Sequence, residues 1–157
     1  MSQVVSLRLK DNQMDRLRKV ARRMGRTPTE VSALLVEEGL REAEFAFIEF
    51  RDSAVGRQAY VKGSSLAVWE VVMVAHDYAL DVAQTAEHLD WPAFKVQAAL
   101  NYAAAFPDEI NDAIADNDAY DFETLKRLLP QAEEFIVPYE PGAEPPTAVN
   151  TKAKALR

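Results

Sequence analysis

Cationic side chains crowd one end of this chain. Between Met1 and Arg26, the residues Arg8, Lys10, Arg16, Arg18, Lys19, Arg22, Arg23 and Arg26 face only Asp11 and Asp15, a local charge of +6. The formal net charge of the 157 residues is −7, so the remainder carries −13. A basic end on an acidic body suits a protein that holds a polyanion with one part of its surface. Other chemistries find less material. His76 and His88 lack the i, i+3 or i+4 spacing of a helical metal pair and read as ordinary packed or surface residues. Asp108, Glu109, Asp112, Asp116, Asp118, Asp121 and Glu123 lack the register and fixed glycine of a calcium loop and read as a solvated face. The chain contains no cysteine, which excludes disulfides, thiolate zinc sites and cysteine nucleophiles. It has no nucleophile elbow, phosphate loop or dinucleotide fingerprint. The expectation is a protein that is not an enzyme and that uses no metal or cofactor.

The basic end needs elements to position it. In Val4–Lys10, Val5, Leu7 and Leu9 fall on one side of an extended segment, with Ser6, Arg8 and Lys10 on the other. Asn12–Met24 carries Met14, Leu17, Val20, Ala21 and Met24 at helical spacing, and Gly25 supplies the stop. Thr27-Pro28-Thr29-Glu30 then sets a hydroxyl at the N-cap, proline at N1 and a carboxylate at N3. Val31, Leu34, Leu35, Gly39, Leu40 and Ala43 continue a second helix, expected to run on through Ile48. A lone strand satisfies neither its backbone nor its apolar side. The economical partner is the same strand of a second copy, giving a two-stranded ribbon above four helices.

This order resembles the ribbon-helix-helix family, the MetJ/Arc/CopG type of DNA-binding domain, from Val4 to about Phe45. Its most telling parts are Ser6-Leu7-Arg8 and Gly25-Arg26-Thr27-Pro28-Thr29-Glu30-Val31. The resemblance implies a homodimer whose ribbon enters the major groove of double-stranded operator DNA. It places Val4, Ser6 and Arg8 toward the bases. Arg8 can bond bidentately to guanine, Ser6 bonds without discrimination, and Val4 can touch only a thymine methyl. It also implies a phosphate held at the start of the second helix by the amides of Thr27, Thr29 and Glu30, with Lys10 and Arg26 adding charge.

The apolar pattern breaks between Arg51 and Gly56, and Tyr60–Leu66 reads as short extended pieces about Gly63. Three helical stretches follow, carried by Val68, Val71, Val72, Ala75 and Ala79, then by Val82, Ala86 and Leu89, then, past Trp91-Pro92, by Val96, Ala99, Leu100 and Ala103. A short helix, a tight turn and a longer helix form the outline of a helix-turn-helix. Gly56-Arg57-Gln58, Val61-Lys62-Gly63-Ser64, Leu66-Ala67-Val68-Trp69, Ala98-Ala99-Leu100-Asn101-Tyr102 and Pro107-Asp108-Glu109-Ile110 resemble the VapB-type antitoxin helix-turn-helix family, long described as a domain of unknown function. Members read Ile-Arg-Gly-Thr-Arg-Ile-Pro-Val at the turn. Here Lys62, Ser64, Ser65 and Ala67 stand for the two arginines, the threonine and the proline. From Arg51 to Glu134 six basic residues face fifteen acidic ones, a charge of −9 that repels a duplex unless the cations cluster. This part is therefore expected to be structural or partner-binding.

Phe122–Leu129 reads as a last helix stopped by Pro130, and proline-rich sequence beyond it predicts a disordered tail. Within that tail Phe135, Ile136, Val137 and Tyr139 either order on a partner or dock back on the helices. The expected architecture is mainly α: a ribbon-helix-helix module over residues 1–48, a small helix-turn-helix module over 56–130 and a flexible tail over 131–157. Together the two resemblances imply an antitoxin that represses its own operon and neutralises a PIN-like ribonuclease toxin. A stand-alone repressor whose helical module senses a ligand or oligomerises is the alternative, and a scaffold that never touches DNA is a third reading. With no membrane-length apolar run, no basic leader and no cysteine, the expected compartment is the cytoplasm.

Overall fold

The computed structural model describes residues 5–53, 55–120, 122–128, 130, 131 and 133. It is mainly helical, with one two-stranded antiparallel sheet. Among the described residues no helix is long and apolar enough to cross a membrane. The chain divides into two compact units, residues 1–119 and 120–157. In the second unit the described structure is one helix, Phe122–Leu128. All that follows concerns the first.

Residues 5–10 have no regular secondary structure. Helix α1 (Asp11–Met24) starts where the Gln13 side chain accepts the Lys10 N–H at 2.9 Å. It ends at Gly25, whose φ of 63° is left-handed, and the Arg26 N–H closes the turn on the Ala21 carbonyl at 3.0 Å. Space for a side chain exists at Gly25, so only its backbone conformation demands glycine. Gly25→Ala is expected to cost about 1 kcal/mol, read as a lower urea midpoint with an unchanged m-value; an unaltered midpoint would contradict the left-handed stop.

Helix α2 (Pro28–Glu44) opens with the expected capping box. The Glu30 N–H donates to Thr27 Oγ1 at 3.3 Å, and the Thr27 N–H donates to Glu30 Oε2 at 2.8 Å. Thr27→Ala is expected to lower stability by about 1 kcal/mol, measured by the same denaturant titration. These hydrogen bonds to Thr27 also hold the Glu30 carboxyl below the ordinary glutamate pKa. That stabilisation is present above the ordinary value and is lost as pH falls through the depressed one.

The second helix stops at Glu44, short of the expected Ile48. Phe45 turns its ring edge-on to Tyr102 and Phe106, with centroids 5.4 and 5.7 Å apart, and Phe47 adopts φ 62°. The chain then enters strand β1 (Ile48–Ser53), which pairs antiparallel with β2 (Gly56–Val61) in the register Ile48↔Val61 to Ser53↔Gly56. Burial explains the switch: as strand residues, Ile48 and Val61 both reach the core. The stretch that the sequence leaves between two modules is thus a strand and its tight turn. Leu66 and Ser64 then tie the following loop back to Val61, and Ala67 bridges Tyr60.

Helices α3 (Val68–Asp77), α4 (Val82–Leu89), α5 (Ala93–Ala105) and α6 (Pro107–Asp118) complete the unit. The first three match the expected helical stretches, except that α3 stops at Asp77 and Ala79, expected on its face, lies in the following turn at φ 51°. Asp81 caps α4 by accepting the Gln84 N–H at 2.8 Å, and Asp90 ends it in a left-handed conformation. Val61, Val68, Val71, Val96, Ala99 and Tyr102 are fully buried at the centre, where α3 and α5 cross.

Candidate nucleic-acid interface

Two half-buried arginines fasten α2 to elements after it. Arg57, on β2, donates from Nε and Nη2 to the two carboxylate oxygens of Glu38 at 2.8 and 2.6 Å. Glu38 is only 6% exposed, so this bidentate pair compensates a carboxylate withdrawn from water. Hydrogen bonding to Glu38 outweighs desolvation and raises the Arg57 pKa above the usual guanidinium value. Arg41, one turn further on, lies 3.8 Å from the centroid of the Phe106 ring. Its Nη1 donates to Tyr102 Oη at 2.7 Å and to Glu109 at 2.6 Å, and its Nε donates to Glu37 at 2.7 Å. Burial opposes its charge, but these three partners prevail and raise its pKa. Tyr102 in turn donates its hydroxyl to Glu109 at 2.9 Å, and burial keeps that phenol protonated well above its usual range.

With one face so engaged, α2 offers other faces to solvent. Leu35, Val36 and Leu40 are all exposed. Helix α1 packs on α2 and on no other element among the described residues. Only Ala21 and Val31 are fully buried at their junction, while Met14, Leu17, Val20, Leu34 and Met24 remain half-exposed. Ahead of α1, Val5 is 87% and Leu7 73% exposed and only Leu9 is half-buried, so most of the apolar side of this segment is uncovered. Soluble domains seldom leave so much contiguous apolar surface without a partner.

Ser6 and Arg8 lie in this segment, exposed and ahead of the first helix. Lys10 occupies the position before α1, Arg26 follows the Gly25 stop, and both are exposed. Thr27 and Thr29 stand at the cap and first turn of α2. Here the geometry refines the expected phosphate site. The Thr27 and Glu30 amides are used within the capping box, and the Glu30 carboxylate sits on the cap. Of the three amides, that of Thr29 lies outside the box, so an anion there would draw mainly on it and Arg26, while Lys10 stands at the opposite end of α1. Val4 and the tail residues Phe135, Ile136, Val137 and Tyr139 lie outside the described residues.

Sequence reasoning missed a second surface feature. The Phe47 and Phe94 rings, both about half exposed, pack at a tilt of 41° with centroids 4.8 Å apart. Beside them, Lys95 Nζ lies 5.6 Å from the centroid of the Trp91 ring. A Cβ on Gly63 would come within 3.8 Å of that ammonium, which brings the turn bearing Lys62 close to the start of α5. Two of the cations of the acidic part, Lys62 and Lys95, therefore lie on neighbouring elements. The only signal available in the sequence was the pair of lysines flanking the expected turn and helix. Among the described residues no group of three or more His, Cys, Asp or Glu side chains is arranged to hold a metal ion. His88 instead shares a 2.8 Å hydrogen bond with Tyr78.

Compared with protein-family models, with curated proteins and with solved structures, the chain finds no match.

Proposed function

We propose that this chain is a dimeric, DNA-binding transcriptional regulator of the antitoxin type. The observation that carries the reading is the N-terminal segment itself. Residues 5–10 are not helical and pair with no described strand, and they precede two helices that leave apolar surface uncovered. A second copy pairing antiparallel at this segment would satisfy both needs at once and form a ribbon over four helices. Arg8 would then face a base edge, with Ser6 beside it, while Lys10, Arg26 and Thr29 meet phosphates. The basic residues of α1 are exposed and available to the DNA field.

On this reading the short α4, the turn at 90–92 and the longer α5 form a helix-turn-helix whose main duty is structural or partner-binding. Its acidic surroundings suit a toxin with a basic RNA-binding surface, the PIN-like ribonuclease that the antitoxin resemblance implies. The third reading, a scaffold that never meets DNA, predicts no salt-dependent association with a promoter. The regulator predicts the opposite. Neutralising about six phosphates should give a slope near −5 in log affinity against log salt concentration. Light scattering should also return twice the chain mass. A monomer, or salt-independent retention on DNA, would sink the proposal.

A further inference from the structure

Two exposed stripes run side by side along α1, and their charges differ. Asp11, Asp15, Arg18 and Arg22 recur at i, i+4, i+7 and i+11 and so share one stripe, where Arg18 Nη1 lies 3.4 Å from Asp15 Oδ1. Its formal charges cancel. One residue further on, Asn12, Arg16, Lys19 and Arg23 repeat the same spacing with three cations and no carboxylate. Every side chain of both stripes is exposed, while Met14, Leu17, Ala21 and Met24 form the face that packs on α2. Among the described residues Arg16, Lys19 and Arg23 enter no ion pair.

The needs of the helix do not account for the second stripe. Arg22 and Arg23 lie in the last turn and complement the helix dipole, but that effect fades within a turn and does not reach Arg16 or Lys19. Lys19 follows Arg16 by three positions and precedes Arg23 by four, spacings at which like charges repel. The stripe therefore opposes its own helix until an anion covers it. From Arg16 to Arg23 the helix rises about 10 Å, a length over which one strand of a B-form duplex presents about three phosphates.

We infer that Arg16, Lys19 and Arg23 form a sequence-independent site for the phosphate backbone of duplex DNA, complete within one chain and separate from the operator contacts. Cations without apolar company suit a polyanion that sheds counterions on binding. A protein partner is disfavoured, because the stripe offers no apolar anchor. A lipid surface is disfavoured because a helix lying on a membrane buries its apolar face, and that of α1 packs on α2. The choice of DNA over RNA rests on the regulator reading; the affinity of the stripe for a phosphate backbone does not. Such a site would let the chain hold and scan DNA before the ribbon meets its operator.

The test uses the full chain and a fluorescein-labelled random-sequence DNA duplex, titrated by anisotropy between about 50 and 200 mM salt. Lys19→Gln with Arg23→Gln should weaken binding at least about tenfold and flatten the slope of log affinity against log salt by about 2 per chain. Arg18→Gln with Arg22→Gln removes the same formal charge and likewise one last-turn arginine, yet should flatten the slope by less than half as much. Glutamine favours helix and all four positions are exposed, so circular dichroism should show both variants folded. No binding by the parent, equal flattening by the two variants, or tighter binding of an RNA duplex of the same sequence would overturn the inference. So would co-sedimentation with phosphatidylserine vesicles that only the Lys19 and Arg23 substitutions abolish. The preference for operator over random duplex should rise in the Lys19 and Arg23 variant and fall in Arg8→Ala. A preference that instead falls in the former would place these cations among the operator contacts and overturn a sequence-independent role. A parent with no operator preference, but with stripe-dependent retention on random duplex, would sink the regulator reading and leave the stripe standing.

Discussion

Replacing Arg8 by alanine is expected to weaken operator binding by roughly thirtyfold or more while leaving the fold intact. A bidentate arginine–guanine contact discriminates by about 1–3 kcal/mol, and a symmetric dimer makes it twice, giving about 2–6 kcal/mol in all. Arg8 is exposed and precedes the first helix, so its removal takes away no internal packing. The measurement is a titration of promoter DNA at fixed salt, with circular dichroism as the control. Arg8→Lys should recover only part of the loss, because an ammonium cannot reproduce the planar fork. The salt slope of Arg8→Ala should stay close to that of the parent, since a base contact contributes little to counterion release. Undiminished affinity in Arg8→Ala would remove the proposed base readout.

The second large effect concerns stability. Arg57→Ala leaves the Glu38 carboxylate buried without its bidentate partner. Breaking a buried pair from one side costs about 3–5 kcal/mol, but the Arg57 side chain is 24% exposed, which favours the lower end. A loss of about 3 kcal/mol would lower Tm by roughly 10 °C. The double variant Glu38→Leu with Arg57→Met should regain most of that, because it buries no charge. Calorimetry of the parent, both single variants and the double variant would give the coupling directly. A change of only a few tenths of a kcal/mol on removing Arg57 would instead mark the pair as an ordinary surface contact.

Local signals in the sequence carried far where the physics was local. Gly25 stops α1 because a left-handed residue was needed there, and Thr27 with Glu30 starts α2 through hydrogen bonds spanning only three positions. Asp81 and the Trp91-Pro92 break framed α4 and α5 in the same way. The end of α2 was illegible. Phe45 and Ile48 continue its helical period, yet their packing partners Tyr102 and Val61 lie far along the chain and pull them into a turn and a strand. Nothing in the residue type of Phe47 announces a positive φ. The acidic run at 108–118 read correctly as exposed at Asp108, Asp112, Asp116 and Asp118. Glu109 is exposed as well, but Arg41 reaches it across 68 positions, a pairing that no window of sequence reveals. The basic candidates Arg8, Lys10 and Arg26 were legible because their value rests on being exposed, which charge alone predicts.

The clamp on α2 has a mechanical consequence. A tether of glycine and serine would let the two ends of a regulator tumble separately. Here the same rod that supports the basic end is gripped by Arg57 from the hairpin and itself reaches through Arg41 to α6. Reorienting one end against the other would require separating Arg57 from the buried Glu38 carboxylate and Arg41 from Glu109. The molecule between residues 11 and 118 therefore acts as a stiff bracket without a swivel, and the direction in which α2 leaves its first turn dictates where the acidic end is carried.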